Sequence, residues 1–110
     1  MRSEKSWDVR AADGRLLQVK TRLLAAGDRG SHVYSPFRSF DFDACVFLIV
    51  DAHSYDLVQA VEVPAASVEA VARPNEHVNG HRIGTRTPLL ALPGAVDCTE
   101  RIRAVLSDLG

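Results

Sequence analysis

The chain has 110 residues and a net charge of −1, with 46% hydrophobic and 25% charged residues. This length normally makes one domain with a modest core, so we expect a single domain over residues 1–110. No apolar run approaches the roughly 20 residues that a membrane-spanning helix needs. The first ten residues, MRSEKSWDVR, also lack the apolar core of a signal peptide. We therefore expect neither a membrane protein nor a cleaved signal peptide.

Charge is distributed unevenly along the chain. Residues 1–38 contain eight basic and four acidic residues, a net charge of +4, whereas residues 39–72 contain six acidic residues and no lysine or arginine. A basic first third is typical of a protein that binds a polyanion. The alternative is an ordinary solvated surface of mixed charge.

The two cysteines, Cys45 and Cys98, lie far apart in the sequence. Cys45 lies in an apolar run and Cys98 near the start of a predicted helix, so we expect two reduced thiols, with Cys45 in the core. Reduced thiols indicate a cytoplasmic protein.

The first predicted elements form a β-hairpin. Trp7–Ala12 is predicted as a short strand, and Asp13-Gly14 is a turn signal between two apolar runs. From Arg15 to Leu24 polar and apolar residues alternate, which is the pattern of a strand with two different faces. One face carries Leu16, Gln18, Lys20 and Arg22.

The middle of the chain predicts a long loop, two strands and a helix. Ala25–Phe40 has no clear period and is predicted as a loop, with Phe37 and Phe40 either anchoring it in the core or joining Arg38 against a nucleic-acid backbone. Ala44–Ala52 is a continuous apolar run, typical of a strand that is buried on both faces. The next elements are a strand over Leu57–Val63 and a helix over Ala65–Ala72 that Pro64 opens.

The last third predicts a second helix after irregular structure. Pro74–Gly80 is predicted as a loop, with short extended pieces at Arg82–Thr85 and Leu89–Leu92. Asp97 is a good N-cap, with Glu100 as its capping-box partner. The apolar face of this helix, which runs to about Leu109, contains Ile102, Val105, Leu106 and Leu109. The order of elements predicts an α+β fold, with one mixed sheet of four or five strands and helices packed on it.

The turn of the hairpin decides whether its polar residues can form a site. With a two-residue Asp13-Gly14 turn, Asp8 faces Val19. With a three-residue turn and Gly14 in a left-handed conformation, Asp8 faces Gln18, and directly opposed residues share a face. We prefer the second register because it also places Val9 and Ala11 with Leu17 and Val19 on one apolar face.

In that register the hairpin has the donors of a Mg²⁺ site. The Asp8 carboxylate, the Gln18 amide oxygen and the Val19 carbonyl are the oxygen ligands that this hard cation prefers. Lys20 beside them could orient or deprotonate an attacking water and stabilise phosphate charge.

The stretch SWDVRAADGRLLQVKTR resembles the central motif of the PD-(D/E)xK nuclease superfamily. Asp8 matches the first acid, Gln18 the variable position and Lys20 the lysine, and glutamine at that position is similar to the Mrr-like branch of restriction endonucleases. A later stretch, EHVNGHRIGTRTPLLALPGAVDCTERIR, looks like the tail of uncharacterised bacterial proteins with the same core. The resemblance implies a restriction-endonuclease-like domain with catalytic residues Asp8, Gln18 and Lys20, and Mg²⁺-dependent cleavage of DNA.

In this family a helix precedes the first strand and often carries a further active-site glutamate. Only seven residues precede Asp8, so we expect the domain to be truncated at its N-terminus and to lack that helix. The sheet face that this helix would cover then favours a homodimer. We expect Arg22 and Arg38 to contact the DNA. The alternative function is a degenerate nuclease fold that binds nucleic acid or self-associates without cutting.

Two further groups of residues could form sites. His77 and His81 have the four-residue spacing of a zinc pair, but Asn79-Gly80 between them favours loop histidines, and an HNH-nuclease motif is a remote alternative. Asp41 and Asp43 are either strand-edge carboxylates or a further metal ligand.

Overall fold

A five-stranded mixed sheet organises the structure. The computed structural model describes residues 8–25, 34, 36–75, 80–84 and 87–109. Its strands are β1 (Val9–Arg10), β2 (Leu16–Leu24), β3 (Ala44–Asp51), β4 (Leu57–Pro64), β5 (Arg73–Asn75), β6 (Gly80–Arg82) and β7 (Val96–Asp97). Its helices are α1 (Ala65–Val71), α2 (Thr99–Leu109) and a 3-10 helix over Leu89–Ala91.

The sheet order is β1-β2-β3-β4-β7, and β5 and β6 form a separate hairpin. Strands β2 and β3 are parallel, and the other neighbours are antiparallel. The predicted α+β fold with a mixed sheet is confirmed. None of the described helices is long and apolar enough to cross a membrane.

The parallel pairing of β2 with β3 requires a long crossover, which residues 25–43 provide. Its described part is fixed by aromatic side chains, because Tyr34, Phe37 and Phe42 are all buried. Phe37 stacks on Phe40 with ring centroids 5.5 Å apart. The prediction that Phe37 and Phe40 anchor this loop is confirmed.

One face of the sheet, which we call the Lys20 face, carries the larger core. Register places Gln18 and Lys20 of β2 beside Cys45 and Phe47 of β3 on this face. The crossover aromatics, α1 and the segment around Ile83 cover it. Its buried cluster is Tyr34, Phe37, Phe42, Cys45, Phe47, Val61, Val63, Val68, Ile83 and Leu89.

The opposite face, which we call the Leu17 face, is covered less completely. Its buried cluster is Val46, Leu57, Ala60 and Cys98, with Leu17, Leu48, Val50 and Ile102 packed against it. Helix α2 lies over β4, so the surface over β1 and β2 has no described helix on it. Val9 and Leu23 are 46% and 47% exposed there. The predicted apolar set of Val9, Ala11, Leu17 and Val19 is therefore only partly buried.

Helix α2 ends at Leu109 as predicted, but it differs from its prediction at its start and in the burial of its apolar face. It begins at Thr99, and Asp97 accepts hydrogen bonds from the Thr99 backbone N–H at 2.9 Å and hydroxyl at 2.6 Å. Glu100 is not a capping-box partner, because its carboxylate pairs with Arg103. Val105 and Leu106 were expected on the buried face, yet each is about half exposed. Among the α2 side chains that the structure describes, Ile102 is the one that packs against the sheet cluster.

Two predictions for the last third are wrong. Arg73–Asn75 pairs with Gly80–Arg82 as the β5–β6 hairpin, where we expected a loop over Pro74–Gly80. Pro74 disfavours a central strand, but an edge strand tolerates proline because its missing N–H is not needed. Leu89–Ala91 forms a 3-10 turn instead of an extended piece, and the Leu92 N–H closes it on the Leu89 carbonyl.

Candidate functional site

The turn between β1 and β2 fixes the geometry of the candidate site. The Gly14 N–H donates to the Ala11 carbonyl at 2.9 Å, and the Ala11 N–H donates to the Arg15 carbonyl at 2.8 Å. Gly14 has a φ of 91°, a conformation that glycine adopts without strain. The turn therefore has three residues, and Val9 pairs with Leu17. The predicted three-residue register is confirmed for Val9–Leu17 and Arg10–Leu16, and its continuation puts Asp8 opposite Gln18.

The Asp8 carboxylate lies at the outer edge of β2. Its Oδ2 accepts a hydrogen bond from the Val19 backbone N–H at 2.9 Å, and the Asp8 N–H donates to the Leu17 carbonyl at 2.7 Å. Within a strand the N–H and carbonyl of one residue point to the same side. The Val19 carbonyl therefore points to the edge on which the Asp8 carboxylate lies. Asp8 is exposed, so a cation can approach this edge from solvent.

Lys20 is buried, with 7% of its surface exposed. Its Nζ donates a hydrogen bond to the Pro36 carbonyl at 3.1 Å and lies 4.6 Å from the centre of the Phe37 ring. Burial lowers the pKa of Lys20 below its usual value, while the negative charges of Cys45, when deprotonated, and of Asp8 act in the opposite direction. A lysine in these surroundings releases a proton more readily than an exposed one.

Gln18 and Cys45 complete the surroundings of Lys20. Gln18 is half-buried and lies two residues from Lys20 on the same face of β2, with Cys45 beside it on β3. Cys45 is fully buried, and burial raises the pKa of its thiol far above the usual range. The thiol is therefore neutral at pH 7 and adds no charge to the site. Both cysteines are free, as predicted.

Arg22 and Arg38 were predicted to contact nucleic acid. Arg22 is half-buried on the Lys20 face of β2, and Arg38 is exposed directly after the buried Phe37. Because Pro36 and Phe37 contact Lys20, the crossover brings Arg38 close to the site along the chain.

The other candidate ligands are engaged elsewhere or lie apart. The Asp43 carboxylate accepts the Leu16 N–H at 2.7 Å, and the Asp43 N–H donates to the Leu16 carbonyl, which closes the start of the parallel ladder. Asp41 is exposed. His81 lies in β6 against the Phe40 ring, and His77 is outside the described residues. Across the part of the chain that the structure describes, no group of three or more metal-binding side chains occurs.

Sequence reasoning did not identify the residues that enclose Lys20. Pro36 and Phe37 come from the crossover, and neither carries a charge or a motif that links it to β2. The sequence feature that could have indicated them is the SPFRSF stretch, because two phenylalanines in a polar loop predict that the loop is anchored in the core. A match is found neither with protein-family models nor among curated proteins.

Proposed function

We propose that the edge formed by Asp8, Gln18, Val19 and Lys20 is a Mg²⁺-dependent site for phosphodiester hydrolysis, and that the protein is a DNA endonuclease or the core of one. One observation carries this proposal. The Asp8 carboxylate is hydrogen-bonded to the Val19 N–H, one residue before a buried lysine whose pKa is lowered. In this proposal the Asp8 carboxylate at the edge of β2 is the anionic metal ligand, and the Lys20 amine, buried beside Pro36 and Phe37, is the proton acceptor.

The donor set suits Mg²⁺ by its chemistry. The Asp8 carboxylate, the Gln18 amide oxygen and the Val19 carbonyl are oxygen donors, and Mg²⁺ binds such ligands while keeping several waters. When bound, the ion stabilises phosphate charge and lowers the pKa of a bound water. The set contains one carboxylate, and Lys20 adds a positive charge nearby, so we expect weak binding.

Lys20 supplies the protein's own acid–base chemistry in this proposal. Its pKa is lowered by burial, so its Nζ can accept a proton from an attacking water more readily than an ordinary lysine. In its protonated form the same group can donate a hydrogen bond to a phosphate oxygen. The Pro36 carbonyl orients the Nζ from the crossover side.

We infer DNA as the substrate from the positive charge of the first third of the chain. The basic first third of the chain contains Lys20, Arg22 and Arg38, and basic side chains near a hydrolytic site bind the DNA backbone through its phosphates. Binding of this kind weakens steeply as salt concentration rises.

A second function, a degenerate module that binds nucleic acid or self-associates without cutting, is favoured by a different observation. The Leu17 face leaves Val9 and Leu23 half exposed. Apolar surface of this kind marks interaction sites, and a second copy of the chain would cover the area that α2 leaves open. A homodimer through the Leu17 face is therefore part of the proposal, whether or not the site cuts.

A plasmid-cleavage assay tests the hydrolytic function. Supercoiled DNA is incubated with the protein in Mg²⁺, in Mn²⁺ and in excess EDTA, with Lys20→Met and Arg101→Ala as variants. Arg101 is an exposed arginine of α2, on the other side of the sheet, and is the matched control. We expect slow nicking that needs metal, is lost in Lys20→Met and is kept in Arg101→Ala. Equal nicking by Lys20→Met, or nicking in EDTA, would contradict the proposal.

A further inference from the structure

The β5–β6 hairpin is extended by the crossover into a small three-stranded arrangement. Phe37 and His81 exchange both of their backbone hydrogen bonds, at 2.7 and 2.8 Å. Strand β6 therefore lies between β5 and the segment around Phe37. Gly80 permits this approach, because an added Cβ would lie 2.8 Å from the Phe37 carbonyl oxygen.

Three arginines lie on the outer side of this arrangement. Arg73 is directly opposite Arg82 in the hairpin, so their side chains share a face with Cβ atoms about 5 Å apart. Arg38 follows Phe37, and successive residues of an extended segment point to opposite sides. Arg38 lies in a bend directly after the Phe37–His81 bridge, so we assign it to the side of Arg82 from its exposure, opposite to the buried Phe37. Phe37 itself is buried in the Lys20-face core, whereas Arg38 and Arg73 are exposed.

Within the described part of the chain, these guanidinium groups lack the carboxylate partners that Arg15 and Arg103 have. Arg15 is paired with Asp13 and Glu62, and Arg103 with Glu100. Among the described residues no carboxylate pairs with Arg38, Arg73 or Arg82, and the buried Nε of Arg82 has no hydrogen-bond acceptor.

Two physical costs follow for the protein without a ligand. Like charges directly opposite each other in a hairpin are destabilising. A buried N–H without an acceptor is destabilising as well. An anion between the arginines removes the first cost, because its charge balances the guanidiniums and its oxygens accept their accessible N–H groups.

We propose that Arg38, Arg73 and Arg82 form a phosphate-binding face, and that its ligand is the phosphodiester backbone of a nucleic acid. The proposal rests on the proposed function for its substrate class and adds where the backbone lies. Arg38 is two residues from Pro36, whose carbonyl holds the Lys20 Nζ, so the face adjoins the hydrolytic site. Arginines spread over two neighbouring segments match the repeated phosphates of a strand better than one isolated phosphate.

Equilibrium binding of a fluorescein-labelled DNA duplex in EDTA tests this face without catalysis. Arg73→Ala and Arg82→Ala should each weaken binding about tenfold, since each removes one arginine–phosphate interaction, whereas Arg101→Ala on α2 should not. The slope of log affinity against log salt should become shallower by about 0.9 for each phosphate that is no longer neutralised. Arg73 is exposed, so its variant reports on binding even where Arg82→Ala fails to fold. Unchanged affinity in Arg73→Ala would overturn the proposal.

Thermal unfolding in inorganic phosphate identifies the source of the anion. Arg73→Thr should unfold at a higher temperature than wild type in phosphate-free buffer, because it relieves the repulsion with Arg82.

DNA should raise the midpoint temperature of wild-type unfolding at concentrations at which inorganic phosphate does not. Equal stabilisation by the same concentration of inorganic phosphate would overturn the nucleic-acid ligand.

The outcomes for the two proposals are separable. Lys20→Met should abolish nicking, whereas Arg101→Ala should leave both nicking and duplex binding in EDTA unchanged. Metal-dependent nicking with no effect of Arg73→Ala on binding would overturn this face and leave the hydrolytic site standing. Weaker DNA binding by Arg73→Ala, together with no nicking by the wild type, would support this face and overturn the hydrolytic site.

Discussion

The Oδ2 atom of Asp8 lies 2.9 Å from the backbone nitrogen of Val19, across the hairpin and one residue before Lys20. This hydrogen bond exists because the turn has three residues. A two-residue turn would place Asp8 opposite Val19 itself and separate the Asp8 side chain from the face of Gln18 and Lys20. The candidate site therefore depends on the conformation of Gly14.

The glycine of this turn should tolerate substitution better than a second glycine with positive φ. Gly14 has no heavy atom within 4 Å of an added Cβ, whereas at Gly94 such a Cβ would lie 2.6 Å from Pro64. We expect Gly14→Ala to lower the free energy of unfolding by about 1 kcal/mol, from backbone strain alone. Gly94→Ala should lower it further, because strain and a steric clash combine. Urea denaturation measures both, and a larger decrease at Gly14 would argue against this geometry.

Burial of Lys20 should make its replacement stabilising at neutral pH. The lowered pKa means that the folded state disfavours the charged amine. Between the folded pKa and the usual value of 10.5 the unfolded chain binds more protons, so this group adds stability as pH rises. Lys20→Met should therefore be more stable than wild type at pH 7, and the difference between their free energies of unfolding should decrease as pH approaches 10.5. Urea unfolding at several pH values measures this difference, and a difference that does not change with pH would contradict the prediction.

Acid should destabilise the protein partly through Asp51 and Asp97. Asp51 accepts the N–H groups of His53 and Ser54, and Asp97 accepts the Thr99 hydroxyl and N–H, which lowers the pKa of both carboxyls below 3.8. A lowered folded pKa gives stability that is present above the unfolded value and is lost as pH falls through the folded one. Asp97→Asn should therefore lose less stability than wild type between pH 6 and pH 3. Asp108→Asn, at an exposed position of α2, is the control and should follow the wild type.

Self-association through the Leu17 face should respond to charge placed on it. If the proposed homodimer forms through this face, Leu23→Lys should shift it to monomer, because a lysine in an apolar interface loses its hydration. Leu90→Lys is a matched control, since Leu90 is 48% exposed against 47% for Leu23 and lies in the 3-10 helix. Sedimentation velocity at several concentrations gives the result. If both variants dissociate the protein, or if neither does, the dimer forms through another surface or does not form at all.

Metal affinity should rise when a second carboxylate is added. Gln18→Glu supplies an anionic oxygen beside Asp8, and hard divalent cations bind carboxylates more strongly than amides. Calorimetry should show tighter Mg²⁺ and Mn²⁺ binding by this variant than by wild type. Gln59→Glu, an exposed change on β4, controls for net charge. Equal gains in both variants would point to general electrostatics instead of a site.

The sequence predicts local features of this protein well and tertiary ones less well. The alternation of β2, the apolar run of β3 and the Gly14 turn follow from period and turn chemistry, so the hairpin register could be predicted from them. The burial of Lys20 could not, because it depends on Pro36 and Phe37 reaching β2 across the crossover. The β5–β6 hairpin was missed for a similar reason. Its strands are short, and it is held by Phe37, a residue distant in sequence.

The most direct test of the metal site is paramagnetic broadening of backbone amide signals by Mn²⁺. If this edge of β2 binds a divalent cation as proposed, substoichiometric Mn²⁺ should broaden the Asp8, Val19 and Lys20 amides first, while amides of α2 stay sharp. Asp8→Asn should remove this selectivity and leave the remaining spectrum unchanged. Broadening centred elsewhere, or identical broadening in wild type and Asp8→Asn, would contradict the central claim that this edge of β2 binds a divalent cation.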